Sequence, residues 1–164
     1  MRRRRFGIIG NIHHVTPDVI LKSLSPDTVR RNLAALIAVA SDIPGEYWAA
    51  ENFLADRPDK WRLSFALWRG SELIGYAILS RKAAHQIHLH HLMVSKPNRS
   101  QGLGERLVRE FLSRCCAARA DIVTLKTQRT NSGAIRFYER FGFAKTGIDG
   151  DYVVMEKSLD GADR

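Results

Sequence analysis

The sequence predicts an α/β fold in a single domain over residues 1–164. Three observations point to it. A β-compatible run at 88–94 passes through Pro97-Asn98, Gly102 and Gly104 into Leu103, Leu107, Val108, Phe111 and Leu112, which recur at helical spacing. A second strand-like run at 122–125 leads into a helical segment at 132–141 that stops at Gly142. Ahead of both, apolar runs at 61–68 and 73–79 flank Arg69-Gly70-Ser71-Glu72, the composition of a hairpin turn.

Residues 6–21 hold an irregular first strand. Ser25-Pro26-Asp27 then supplies a helix cap, a first-turn proline and a first-turn acid, so a helix runs from there to about Ala40. Pro44-Gly45 breaks the chain before a short second helix at 46–54, and Pro58 separates that helix from the strand at 61–68. The hairpin, the strand at 88–94, a helix at 102–118, the strand at 122–125, a helix at 132–141 and a final strand near 152–157 complete the order. No repeat, linker or low-complexity block divides the chain.

A chain of 164 residues with 45% hydrophobic content is long enough for one core without disulfides or structural metal. Its two cysteines, Cys115 and Cys116, are neighbours on one helix and poorly placed to bridge each other, which predicts a reducing, cytoplasmic location. The apolar stretch after Arg2-Arg3-Arg4-Arg5 is short and broken by Gly7, Gly10 and Asn11, so neither a signal peptide nor a membrane span is expected. The four arginines read as a flexible basic tail. A formal charge of +9 attracts polyanions at long range. Nucleic acid is not the indicated one, because no aromatic-interleaved basic strand or recognition helix is present.

The glycine turn is chemically suggestive in its own right. A helix start leaves about four N–H groups unpaired and carries roughly half a positive charge, so an anion is stabilised there. Read from Arg99 through Ser100, Gln101, Gly102, Leu103, Gly104 and Glu105, the turn matches an (Gln/Arg)-x-x-Gly-x-(Gly/Ala) pyrophosphate loop. Downstream, Asn131, Ala134, Tyr138, Gly142 and Phe143 match Asn-x-x-Ala-x-x-x-Tyr-x-x-x-Gly-Phe. Together, over about residues 86–145, the two segments resemble the GNAT superfamily of acetyl-coenzyme A dependent N-acetyltransferases. The resemblance implies a GNAT-like fold, a central mixed sheet with helices on both faces. It also implies transfer of an acetyl group from acetyl-CoA to an amine acceptor by direct attack in a ternary complex. The chain is open to forming a homodimer.

The resemblance assigns roles. Backbone amides from Ser100 to Glu105 grip the pyrophosphate, with Arg99 opening the loop, and the edge formed by Leu92, Met93 and Val94 pairs with the pantetheine arm and polarises the thioester carbonyl. Gln101 stands where many relatives carry arginine, and Arg99 or Arg106 is the expected compensation. Tyr138 is the acid for the departing sulfur, although helical spacing alone places it in an aromatic cluster with Phe137, Phe141 and Phe143. Asn131 contacts the coenzyme arm or caps its own helix. His88 is the candidate base, with Glu51, Glu72 or a water chain as alternatives. A metal bound by His85, His88 and His90 is not expected, since nothing fixes further converging ligands. Lys126 occupies the position at which acetyltransferases of ribosomal-protein N-termini carry a glutamate base, which disfavours that acceptor class. Trp48 and Glu51 are the expected acceptor contacts. A module that binds coenzyme A without turnover, as a sensor or a basic nucleic-acid-associated regulator, is the alternative reading.

Overall fold

The computed structural model describes residues 18–45 and 48–159, so the arginine run at 2–5 and most of the segment at 6–21 lie outside the described residues. The chain proceeds through β1 (Val19–Ser23), α1 (Pro26–Arg31), α2 (Leu33–Ala40), α3 (Ala50–Leu54), α4 (Lys60–Leu63), β2 (Phe65–Arg69), β3 (Glu72–Ala83), β4 (Gln86–Val94), α5 (Leu103–Ala117), β5 (Ile122–Gln128), α6 (Ser132–Glu139), β6 (Ala144–Asp149) and β7 (Tyr152–Ser158).

Local chemistry sets most of these boundaries. Ser25 caps α1 by accepting the Thr28 N–H at 3.1 Å, and Pro26 occupies the first turn. The helix expected to run on to Ala40 instead divides at Asn32, whose side chain donates to the Thr28 carbonyl at 2.8 Å and competes with the backbone ladder. The strand expected at 61–68 begins only at Phe65. Lys60 is buried and donates from Nζ to the carbonyls of Asn52 (3.3 Å), Phe53 and Ala55 (both 2.6 Å), which closes the end of α3 and winds 60–63 into a helical turn. The short helix expected at 46–54 is found at its C-terminal part, Ala50–Leu54; residues 46 and 47 lie outside the described residues.

Among the described residues seven strands form one mixed sheet in the order β1-β2-β3-β4-β5-β7-β6, with β4 and β5 the parallel pair. Helices cover both faces. On one, α5 and α6 bury Leu107, Phe111, Ile135 and Tyr138 against Phe65, Leu79 and Leu125. On the other, α1, α2 and α3 bury Val29, Leu36 and Phe53 against Ala66, Tyr76 and Ile78. Each such fully buried side chain contributes about 1.5–3 kcal/mol. Cys115 is free and buried, and burial, reinforced by the neighbouring Cys116, pushes its thiol up to about 12.

Candidate active site

The parallel pair does not pair along its full length. The ladder runs from Gln86↔Ile122 to Leu89↔Leu125 and stops there, although β4 continues to Val94 and β5 to Gln128. Beyond that point β5 pairs only with β7, so the two strands part and a cleft of about 90 Å³ opens between them. One edge of Leu92, Met93 and Val94 is held by β3, and the edge facing β5 carries no strand partner.

A bulge shapes the β4 wall. Ile78 pairs with His91 while Leu79 pairs with Leu89, so His90 is an extra residue and the side-chain alternation resets. Ile87 and Leu89, then Leu92 and Val94, therefore belong to the α5 side, whereas Met93 belongs to the α2 side. His91 follows Met93: its Nδ1 lies 2.7 Å from the Tyr76 hydroxyl, and Trp48 stacks on its ring at 4.7 Å with planes 13° apart. Both His90 and His91 line the cleft.

At one end of β4 sits the glycine loop. Ser100 at φ +61° and Gly102 at φ +75° turn the chain through left-handed conformations into α5, which starts without a side-chain cap. Its first-turn amides, from Leu103 to Glu105, are thus left for a ligand. A Cβ on Gly102 would meet nothing within 4 Å, so conformation rather than space requires glycine there. At Gly104 a Cβ would lie 3.4 Å from the Phe137 ring, so this glycine also serves the close contact between α5 and α6. Gln101 is not a gap in the site. Arg69, at the end of β2, donates to Asn98 Oδ1 and to Gln101 Oε1 (3.1 Å), bringing a cation beside the loop from the hairpin. Arg99 and Arg106, the cations expected to compensate for Gln101, also make bonds of their own. Arg99 donates to the Val94 carbonyl at 3.0 Å and faces Asp42 at 3.6 Å, while Arg106 donates to the Val19 carbonyl at 2.8 Å.

From the far wall, α6 presents Asn131, Ala134 and Tyr138 to the cleft. Asn131 caps the helix by accepting the Ala134 N–H at 3.0 Å. Tyr138 packs edge-on against Phe137 (5.2 Å) and Phe143 (5.8 Å) and still lines the cleft, so packing and facing the cleft coexist in one side chain. On β5, Lys126 lines the cleft and is ion-paired with Asp149, whose carboxyl it holds below the usual range.

The expected base is displaced. His88 lies within the paired part of β4, buried, with Nδ1 2.7 Å from Thr124 Oγ1, and does not line the cleft. Burial first, then the charges of His90, Lys82, Lys126 and Arg57, pushes its pKa down to about 3, and His90, bonded to Ser80, is lowered by burial and nearby cations to about 4. Glu51 and Glu72 are both exposed, and neither lines the cleft. His85 faces Asp121 at 3.4 Å, so the histidines of this segment point to different partners; among the described residues no cluster could hold a metal ion. Arg69, Asp42 and His91 escaped the sequence reading. The hairpin turn beside Arg69 was visible in the sequence; its bond to a loop thirty residues away was not.

An unpartnered strand edge beside an uncapped helix start suits an amide-bearing arm ending in a pyrophosphate. Known proteins agree with that geometry. Residues 31–143 match the Acetyltransferase (GNAT) family. N-alpha-acetyltransferase RimI of Mycobacterium tuberculosis is 32% identical over 82 residues, 48% of this chain and 50% of that protein. The chain thus spans about half the length of this curated relative. Among solved structures, Ard1 from Thermoplasma volcanium superposes with a TM-score of 0.76 at 21% identity over 86% of this chain and 97% of that one. PaiA N-acetyltransferase from Thermoplasma acidophilum, in complex with coenzyme A, does so with 0.71 at 22% identity over 87% and 99%. At these identities the two structures speak for the fold.

Proposed function

This chain belongs to the GNAT acetyltransferase family, and on that premise we propose that it transfers an acetyl group from acetyl-CoA to a primary amine of a small molecule or protein by direct attack in a ternary complex. The observation that carries this reading is the parting of β4 and β5 after Leu89↔Leu125, with Tyr138 on one wall and the open edge of Leu92, Met93 and Val94 on the other. The thioester of acetyl-CoA supplies the activated acetyl group. The amides from Ser100 to Glu105 hold the pyrophosphate, and Arg69 adds positive charge beside them. A β4 amide polarises the acetyl carbonyl, and the Tyr138 hydroxyl donates to the sulfur as it leaves. Asn131 keeps α6 in register so that Tyr138 and Ala134 face the same cleft.

The proton of the acceptor ammonium leaves through the cleft. His91 is the imidazole placed to accept it, directly or through water, held by Tyr76 and Trp48. Trp48 serves the acceptor side through that stack, and Glu51, exposed on α3, is the second proposed acceptor contact. Lys126 in the cleft wall still argues against a glutamate-based mechanism for ribosomal-protein N-termini. The cytoplasmic reading rests on Cys115 and Cys116, which form no disulfide, together with the finding that no helix among the described residues is long and apolar enough to cross a membrane.

Thiol release from acetyl-CoA across polyamines, aminoglycosides, amino acids, peptides and aminoacyl-RNA tests the reading. Amine-dependent release is expected with one class. Tight coenzyme binding with no release from any acceptor would favour the non-catalytic module instead.

A further inference from the structure

The sheet face opposite α5 holds a charge pattern that the chemistry of transfer leaves unused. Where β4 and β5 are still paired, that face has a polar floor: Ser80 Oγ lies 2.6 Å from His90 Nε2, and His88 Nδ1 lies 2.7 Å from Thr124 Oγ1. Cations reach this floor from three elements. Lys126, one residue past the Leu89↔Leu125 pair, stands level with His90. Lys82 is the extra residue of a second irregularity in β3, between Arg81↔Ile87 and Ala83↔Gln86. Arg57 arrives on the turn between α3 and α4, which the bond from the Arg81 N–H to the Pro58 carbonyl (2.8 Å) seats against the same end of β3. All three side chains are exposed.

The charges that act on His88 and His90 are positive throughout, with Lys82 and Arg57 acting on both. Neighbouring carboxylates are already engaged: Asp149 with Lys126, Asp59 with Arg81 (2.6 Å), and Asp56 with the Trp61 Nε1–H (3.0 Å). Glu156, half-buried and level with Thr124, stands two strand spacings from His88, about 10 Å. Among the described residues Arg57 and Lys82 form no ion pair, so this end of the face is positive and uncompensated. Distance narrows what it suits. The level of His88 lies four residues before Leu92, so an anion held there is about 12 Å from the edge that receives the acetyl group. A free amino acid cannot span that gap. An extended peptide, at about 3.3–3.6 Å per residue, brings the side chain of its third or fourth residue to it.

Resting on the acetyl-transfer reading above, we infer that Arg57 and Lys82 bind a carboxylate of the acceptor, and that the acceptor is the amino terminus of an acidic peptide, with acidic side chains two or three residues beyond the reacting amine. Polyamines, aminoglycosides and lysine-rich amino termini are repelled by the same two charges as they approach the cleft.

Pentapeptide amides that begin with alanine, serine or methionine, and continue with three glutamates, three glutamines or three lysines before a final alanine, test this. The measurement is kcat/KM for thiol release from acetyl-CoA by the full chain. The glutamate member is expected to exceed its glutamine isostere about 10-fold and the lysine member by more, and the Arg57→Gln/Lys82→Gln double variant to bring the glutamate-to-glutamine ratio near one. The charge reversal Lys82→Glu should move the preference toward the lysine member. An unchanged rise in melting temperature on adding coenzyme A verifies that each variant is folded. Equal rates across the series, a glutamate preference that survives in the double variant, or turnover confined to polyamines, aminoglycosides, single amino acids or aminoacyl-RNA would overturn the inference and leave acetyl transfer in place. Release with no acceptor of any class would overturn the two together.

Discussion

His88 offers a sharp test, because the structure turns a candidate catalytic base into a source of acid sensitivity. In the folded chain its pKa is lowered to about 3 by burial and by the surrounding cations, whereas in the unfolded chain it titrates near the ordinary value of 6.5. Between these values the unfolded state holds a proton that the folded state refuses. The stability contributed by neutral His88 is complete above about pH 6.5 and is lost as pH falls toward the folded pKa, at about 1.4 kcal/mol per pH unit. From pH 7.5 to pH 5 that amounts to about 2 kcal/mol. His90, lowered to about 4, adds a similar loss over the same interval, so together the pair removes about 4 kcal/mol from a total typically in the range of about 5–15. His88→Asn keeps a polar group beside Thr124 and removes the titration. Urea unfolding at pH 7.5, 6 and 5 should show the wild type losing about twice as much stability as the variant. Meanwhile the acidic limb of the pH dependence of kcat/KM should be the same in both proteins. Identical pH dependence of stability would refute the argument, since His88 would then titrate normally in the fold, and a changed acidic limb would return it to the mechanism.

Other outcomes follow from the same geometry. Tyr138→Phe should slow single-turnover acetyl transfer about 100-fold or more while coenzyme affinity and unfolding midpoint hold steady, because the ring keeps its packing and loses only its hydroxyl. His91→Gln should lower kcat with little change in coenzyme affinity, in contrast to His88→Asn; wild-type turnover would remove His91 from the proton path. Gly104→Ala places a methyl group in ordinary contact with Phe137 and should keep coenzyme affinity within a few-fold, whereas Gly104→Val overfills that contact and should lower both melting temperature and affinity, read by thermal shift with and without coenzyme A. Lys60→Met should cost about 3 kcal/mol in denaturant unfolding, since it strips three carbonyls at the end of α3 of their donor.

What the linear chain determined by itself are the features whose signals lie within a few residues of one another. Ser25-Pro26 announces a helix start, Gly102 supplies a left-handed turn before an amphipathic helix, and Asn131 caps the helix that carries Tyr138. Such local chemistry needs no knowledge of what packs against it, so the α/β order, the turn that opens α5 and the cap of α6 were readable. Features that depend on partners distant along the chain were not. Alternation along β4 could not reveal the bulge at His90, because a bulge is a mismatch of register with β3. One extra residue there exchanges the faces beyond it and turns His91 toward Trp48, while His88 lies before the bulge in the stretch of β4 that pairs with β5. The charge near the glycine loop comes from Arg69, thirty-two residues before Gln101, and the helical turn that displaced the expected strand at 61–64 depends on Lys60 reaching the end of α3. Motif located the left-handed turn that opens α5. Only the tertiary structure, by bringing separate strands into register, decided which histidine meets the cleft and which is shut away from it.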